Sequence, residues 1–202
     1  MIAIINYGLG NIGSIRNMFK KIGVQAEIIE SPDALVNADK IILPGVGTFD
    51  DGMKLLKNNN WLEALNQKVL IDKVPVLGIC LGMQLMTKSS EEGNEPGLGW
   101  VDGVVKKFQF DNTNIKIPHM GWNDVFPKME SPLFDSLSVD ARFYHVHSYY
   151  VSINDSNGII AETNYEGKFT SSFNFGNIYG VQFHPEKSHK YGKALLLNFS
   201  KL

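Results

Sequence analysis

Cys80 stands between two glycines in Gly78-Ile79-Cys80-Leu81-Gly82, where an apolar run meets a helical pattern. Small residues on both sides permit the sharp strand-to-helix turn that lifts a nucleophile above the ends of a sheet. A thiol there faces the positive end of a helix, which favours the thiolate, the form that attacks carbon. The backbone N–H of Leu81, the next residue, is placed to receive an oxyanion. The alternative is an inert packed thiol, since free cysteine is among the most buried residue types. A base is offered by Gln182-Phe183-His184-Pro185-Glu186. Residues two apart in an extended segment face the same side, and Pro185 keeps His184 out of the helical region. Glu186 can then orient the imidazole while His184 takes and returns a proton. Together the two segments predict a Cys-His-Glu triad, provided the fold closes the long sequence separation between them.

Two further glycine loops carry weaker signals. Pro44-Gly45-Val46-Gly47 follows an apolar strand pattern, and its glycines let a peptide plane flip and present an N–H to a neighbouring site. The Gly45-Val46 peptide is therefore a candidate second oxyanion donor, an ordinary turn being the alternative. Gly8-Leu9-Gly10-Asn11-Ile12-Gly13 matches the G-x-G-x-x-G of dinucleotide sites, between a strand and a helix, with Glu30 about 20 residues on where a ribose-binding acid would sit. Glycine turns of this kind also occur in doubly wound sheets that bind no nucleotide, because tight turns need them.

The elements that would position these loops follow from periodicity. Ile2 to Asn6, Ala26 to Ile29, Lys40 to Leu43 and Val74 to Ile79 read as buried strands, separated by helical patterns at Ile12 to Ile22, Phe49 to Lys57 and Trp61 to Leu70. Strands alternating with helices predict an α/β fold, a largely parallel sheet covered on both faces. Past about residue 100 the chain shortens its period to Val104 to Phe108, Asn114 to Ile117, Phe143 to Val151, Gly158 to Thr163, Phe169 to Phe175 and Ile178 to Phe183, an antiparallel addition. A last helix spans Ser188 to Phe199. No Pro/Ser-rich linker or repeat divides the chain, so a single domain over residues 1–202 is expected.

Composition narrows the function. Of 202 residues, 44% are hydrophobic and 20% charged, which fits a globular chain and argues against disorder. Nineteen Lys and Arg against 21 Asp and Glu leave a net charge of −2 without a like-charge run, so no nucleic-acid partner is indicated. A lone cysteine excludes an internal disulfide and every multi-cysteine zinc pattern, and suggests a reducing compartment. The first cation is Arg16, after the apolar residues, unlike a secretion signal, and Val74 to Met86 is too short to span a bilayer. A cytoplasmic location with no membrane contact is expected.

PGVGTF at 44–49, GICLGMQ at 78–84 and QFHPEKS at 182–188 resemble the class I (triad) glutamine amidotransferases. NYGLGN at 6–11, SSEEGNEPGLGW at 89–100, IPHMGWN at 117–123 and HVHSYY at 145–150 follow the order of one branch of that family, the glutaminase subunits of imidazole glycerol phosphate synthases. The resemblance runs from Ile2 to the last helix. It implies a flavodoxin-like fold, with Cys80 attacking the side-chain amide of glutamine, His184 as acid and base and Glu186 as its orienter. It implies an oxyanion hole from Leu81 and a flipped Gly45-Val46 peptide. Gly45, Gly47, Gln84, Glu92 and the His147-Ser148-Tyr149 backbone fall where the family holds glutamine, and no cofactor or metal is implied.

The same resemblance implies a partner. Ammonia passes to a separate (β/α)8-barrel cyclase in a heterodimer, with Asn11, Trp122 and Tyr144 in the contact, yielding imidazole glycerol phosphate and an aminoimidazole carboxamide ribotide. About 200 residues suffice for a glutaminase domain alone, so the synthase would be another chain. His145 departs from the family, which usually has an aromatic residue there, most often phenylalanine. The motifs do not separate a histidine-pathway enzyme from a paralogue supplying ammonia for amidation in surface-sugar synthesis. A dinucleotide-binding module using Gly8, Gly10 and Gly13, and a docking subunit with a vestigial site, are the readings from other classes.

Overall fold

The structure, a computed structural model, describes residues 1–111, 114–138 and 140–202. The first half contains β1 (Ile2–Ile5), α1 (Ile12–Lys21), β2 (Ala26–Ile29), β3 (Lys40–Leu43), α2 (Phe49–Asn58), α3 (Trp61–Asn66), β4 (Val76–Ile79) and α4 (Leu81–Leu85). The second half contains β5 (Ser89–Ser90), β6 (Gly103–Lys107), β7 (His119–Asp124), β8 (Phe126–Pro127), β9 (Arg142–His147), β10 (Tyr149–Ile153), β11 (Ile159–Asn164), β12 (Lys168–Phe175), β13 (Ile178–Val181) and α5 (His189–Lys201).

Five strands in the order β2-β1-β3-β4-β13 are mutually parallel. This is the doubly wound order of flavodoxin-like sheets, whose ligands bind beyond the carboxyl ends of the strands. The expected antiparallel addition follows, β13 pairing with β12, β12 with β10 and β10 with β6. Alternation along each parallel strand sends side chains to two separate cores. Ile2 and Ile4 of β1 pack with Ile15, Met18 and Phe19 of α1 and with Leu195, Leu196 and Phe199 of α5, while Ala3 and Ile5 join Phe49, Met53, Leu56, Trp61 and Leu65 on the other face. Burial on both faces is why these strands read as continuous apolar runs. Among the described residues, no helix is long and apolar enough to cross a membrane.

Three expectations fail locally. Asn114 to Ile117 forms turns and bends rather than a strand. The ladder starts instead at His119, just past Pro118, which has no N–H to give. Phe143 to Val151 is not one strand. It breaks at Ser148, because His147 pairs with His119 of β7 in a small two-stranded sheet whereas Tyr149 pairs with Lys107 of β6 in the main one. The helix predicted over Trp61 to Leu70 ends at Asn66 and continues as a wider turn over Gln67–Ile71.

Candidate active site

Register explains how distant segments meet. Ile79 of β4 lies opposite Val181 of β13, and the Cys80 N–H donates to the Val181 carbonyl at 2.8 Å. The chain leaving β13 therefore runs past Cys80 and carries Gln182 and His184 to it. On the other flank Leu43 of β3 lies opposite Gly78, so the Pro44–Gly47 loop ends beside the first turn of α4.

Cys80 has φ 53° and ψ −110°, a backbone conformation rarely adopted by a residue with a side chain. The glycines around it make the turn feasible. A Cβ on Gly82 would stand 1.9 Å from the Leu43 carbonyl oxygen, and one on Gly78 would stand 2.7 Å from the Met83 nitrogen. The elbow is thus pressed directly onto β3, and its flanking residues have no room for a side chain.

His184 is buried at 1% exposure, and its Nδ1 lies 2.9 Å from Glu186 Oε1, whose side chain is equally buried. Pro185 opens a single 3₁₀ turn, Pro185–Lys187, that swings Glu186 back under the ring. Ser188 ties the turn down, its hydroxyl donating to the His184 carbonyl at 2.6 Å and accepting the Tyr144 N–H at 3.0 Å. His184 Nε2 is buried and has no hydrogen-bond partner among the described residues. Burial disfavours the imidazolium, but the charge of the neighbouring Cys80, followed by the hydrogen bond and charge of Glu186, outweighs it and pushes the His184 pKa up to about 10. Such a histidine holds a proton ready for a leaving group.

Both residues open into one cavity of about 320 Å³, at the small end of small-molecule sites. Val46, Gly47, Leu81 and Gln84 line one part of it, and Glu92 with His147, Ser148 and Tyr149 line another. Gly45 stands behind the wall, where a Cβ would lie 2.8 Å from Leu81 Cβ and 2.8 Å from Tyr7 Oη. That close approach presses the Gly45-Val46 peptide against the start of α4. Glu92 Oε2 accepts the Phe49 N–H at 2.8 Å, and its pKa is raised by burial, opposed by that bond and reinforced by Asp50 and Asp51. Gln84 already spends its amide hydrogens on the Tyr149 carbonyl at 3.2 Å and on Gln182 Oε1 at 3.1 Å. It therefore fixes the wall, and only its oxygen is left for a ligand.

Gln182 was not among the residues expected in the site. It is fully buried, and its Nε2 donates to Cys80 Sγ at 3.7 Å. The signal was present in the sequence, since Gln182 is two residues before His184 in an extended segment and so shares its face. Val146 and Pro118 also line the cavity without having been expected.

Of the residues expected to meet a partner, Trp122 is 40% exposed and stacked on His189 at 5.5 Å. Tyr144 stands edge-on to it at 6.3 Å, and Met120, on the same face of β7 as Trp122, is 62% exposed. Asn11 is half-buried ahead of α1 and makes no side-chain cap bond. The dinucleotide reading loses its geometry. Gly10 is required because a Cβ there would lie 2.8 Å from Pro44, whereas Gly13 has open space around it instead of the close helix-to-strand packing such sites need, and Glu30 is exposed.

Close to His184, three more histidines lie buried together. Burial holds His119 down to about 4, burial and then the His119 charge hold His147 down to about 3, and His145 is lowered by burial and by the charges of His147, His119 and His184.

Comparison with known proteins identifies the family of the chain. The family model described as glutamine amidotransferase class-I matches residues 3–201. The imidazole glycerol phosphate synthase subunit HisH 2 of Methanococcus maripaludis is 54% identical over 201 residues, covering 100% of this chain and 99% of its own. The subunit of the same name from Pseudomonas aeruginosa is 46% identical over 202 residues, with 100% of both chains covered. Among solved structures, PurLQS from Thermotoga maritima superposes with a TM-score of 0.78 at 16% identity, over 99% of this chain and 97% of that one, a likeness of fold. On the strength of the family match and of relatives this similar along the whole chain, the protein belongs to the class-I glutamine amidotransferase family.

Proposed function

We propose that this chain is a glutaminase subunit that hydrolyses glutamine to glutamate and ammonia. Cys80 Sγ attacks the side-chain amide carbon, and the oxyanion is received by the N–H of Leu81, joined by that of Val46 once the Gly45-Val46 peptide is turned inward. His184 Nε2–H then protonates the leaving nitrogen, the C–N bond breaks and ammonia departs, leaving a glutamyl thioester. Water deprotonated by His184 cleaves the thioester, while Glu186 holds the ring by its Nδ1–H throughout. One observation carries this reading. His184 Nε2 is bare of partners in the same cavity as the Cys80 elbow, while Nδ1 is locked to a buried carboxylate.

Glutamine is held by its α-ammonium on Glu92 and by backbone groups of Gly47 and of His147 to Tyr149. Replacing Glu92 with glutamine is expected to raise KM for glutamine about 10- to 100-fold with little change in kcat, because a charged hydrogen bond is worth about 1.5–3 kcal/mol. The raised pKa of Glu92 sets a pH effect of definite sign. As pH falls, Glu92 loses its charge at a higher pH than an ordinary glutamate, so KM rises earlier than free carboxylates would make it. Initial rates across a pH series in the wild type and in Glu92→Gln check both points, since the variant should lack that rise.

The ammonia is passed to a (β/α)8-barrel cyclase in a cytoplasmic heterodimer that makes imidazole glycerol phosphate and aminoimidazole carboxamide ribotide in histidine biosynthesis. The relatives named as synthase subunits support this, and so does the exposed Met120 and Trp122 face beside Tyr144. His145, in place of the usual aromatic residue, favours a second reading, a paralogue feeding amidation in surface-sugar synthesis. Ammonia release from glutamine, measured with and without the cyclase and its ribonucleotide substrate and followed by product identification, separates them. Absence of stimulated release with the cyclase would overturn the histidine-pathway reading, and absence of any glutamine hydrolysis with or without it would overturn the function itself.

A further inference from the structure

His119, His145 and His147 converge beside the glutamine cavity, and their hydrogen-bonding capacity does not balance. His147 Nδ1 lies 2.7 Å from the Tyr149 carbonyl oxygen, which only accepts, so Nδ1 carries the proton and Nε2 is bare. Two ring nitrogens face that single bare atom, His119 Nδ1 at 3.2 Å and His145 Nδ1 at 3.3 Å. The Asn123 amide, oriented by donating to the Asn164 carbonyl at 3.0 Å and accepting the Asp124 N–H at 2.8 Å, also donates to His119 Nε2 at 3.1 Å. His119 must therefore carry its proton on Nδ1, and that proton takes the one lone pair of His147 Nε2. His145 is surplus. It is 0% exposed, and its Nδ1 faces an acceptor whose one lone pair is already taken. A buried polar group in that condition calls for a ligand, a water or an ion.

We propose that His119 Nδ1, His145 Nδ1 and His147 Nε2 bind one divalent transition-metal ion of the zinc type. With Zn–N bonds of about 2.0–2.1 Å at tetrahedral angles, ligand nitrogens stand about 3.3–3.4 Å apart. The distances of 3.2 and 3.3 Å from His147 Nε2 match that spacing, and ligand atoms of the three residues all lie within 4.8 Å of one another. Three imidazoles suit zinc, nickel or copper, whereas magnesium and calcium want oxygen. The bond from His147 Nδ1 to Tyr149 is the outer hydrogen bond that fixes a ligating histidine in its tautomer. Binding shifts the protons of His119 and His145 from Nδ1 to Nε2, with no net proton release. Asn123 turns its oxygen toward His119, giving up its bonds to the Asn164 carbonyl and the Asp124 N–H, which turn to water. Because His119 and His147 are directly opposed in the β7–β9 ladder, the ion cross-links the two strands next to the cavity that His147 lines.

Cys80 and His184 are a competing pair of zinc ligands, and the test must tell the two sites apart. The full chain, stripped with a chelator, is titrated with Zn²⁺ against a chromophoric competitor, as wild type, Cys80→Ser and His145→Phe. Phenylalanine suits the site because Phe169 and Phe183 already stand edge-on to the His145 ring at 5.9 and 5.8 Å. One equivalent should bind to wild type and to Cys80→Ser, raising Tm by about 5–10 °C at a hundredfold excess over Kd, and His145→Phe should weaken binding about 100-fold. X-ray absorption of the zinc-loaded wild type should show imidazole nitrogens and no sulfur, a readout that stands even if His145→Phe fails to fold. Sulfur in the shell, binding that survives His145→Phe but not Cys80→Ser, or no stoichiometric binding would each overturn the site.

Discussion

Cys80→Ala is expected to abolish glutamine hydrolysis, lowering kcat on the order of 10⁴- to 10⁶-fold, while glutamine still binds. The size of the loss follows from what the thiol does. Without it no thioester forms, and the other groups of the site can act only on direct attack by water. Binding survives because the contacts proposed for glutamine lie on Gly47, Glu92 and the 147–149 backbone, none of which depends on sulfur. The backbone survives as well, since the positive φ of Cys80 is enforced by its neighbours, Gly82 against β3 and Gly78 against α4. Ammonia release by coupled assay and glutamine binding by calorimetry check the two halves of the expectation. Residual turnover within tenfold of wild type would remove the thioester mechanism. Loss of binding would mean that the thiol helps to shape the cavity.

The same neighbours show why much of this site could be read from sequence. In a doubly wound sheet the ligand end of each strand is known once the strand is known, so Gly45, Cys80 and His184, each just past a buried apolar run, must share one edge. Local chemistry then names their tasks. What could not be read is whatever depends on register between segments with no connecting pattern. Gln182 reaches Cys80 only because Ile79 and Val181 are level. The three-histidine cluster exists only because His119 is opposite His147, and neither the break at Ser148 nor the strand at His119–Asp124 leaves a hydrophobic alternation to announce it. The exclusion of zinc patterns rested on the cysteine count, which is silent about imidazoles supplied by two strands. The alternation of Asn114 to Ile117 runs straight into Pro118, which has no N–H for a ladder, and the strand forms only past it.

The Gly45-Val46 peptide carries the remaining large effect. If the cyclase partner activates the glutaminase by turning the Val46 N–H into the oxyanion hole, the stimulation is limited to the worth of one such donor, about 10²- to 10³-fold in kcat. The loop is built for a small local rotation. Gly45 is clamped between Leu81, Tyr7 and Gly82, the Tyr7 hydroxyl donates to the Pro44 carbonyl at 2.8 Å, and beyond the clamp Val46 is 41% exposed and Gly47 has φ 111°. Motion is thus confined to Val46, which has glycine on either side. Val46→Pro removes the N–H and fixes φ at about −65°, on the negative side where Val46 already lies. If the peptide turns only when the partner docks, hydrolysis by the isolated subunit should be unchanged in this variant, since it then uses the Leu81 donor alone. Addition of the cyclase with its nucleotide ligand should then raise kcat less than about tenfold, at unchanged complex formation measured by sedimentation. Full stimulation of Val46→Pro would place the second donor elsewhere. Loss of the basal rate as well would show the peptide already turned inward before the partner arrives, leaving the partner some other step to accelerate.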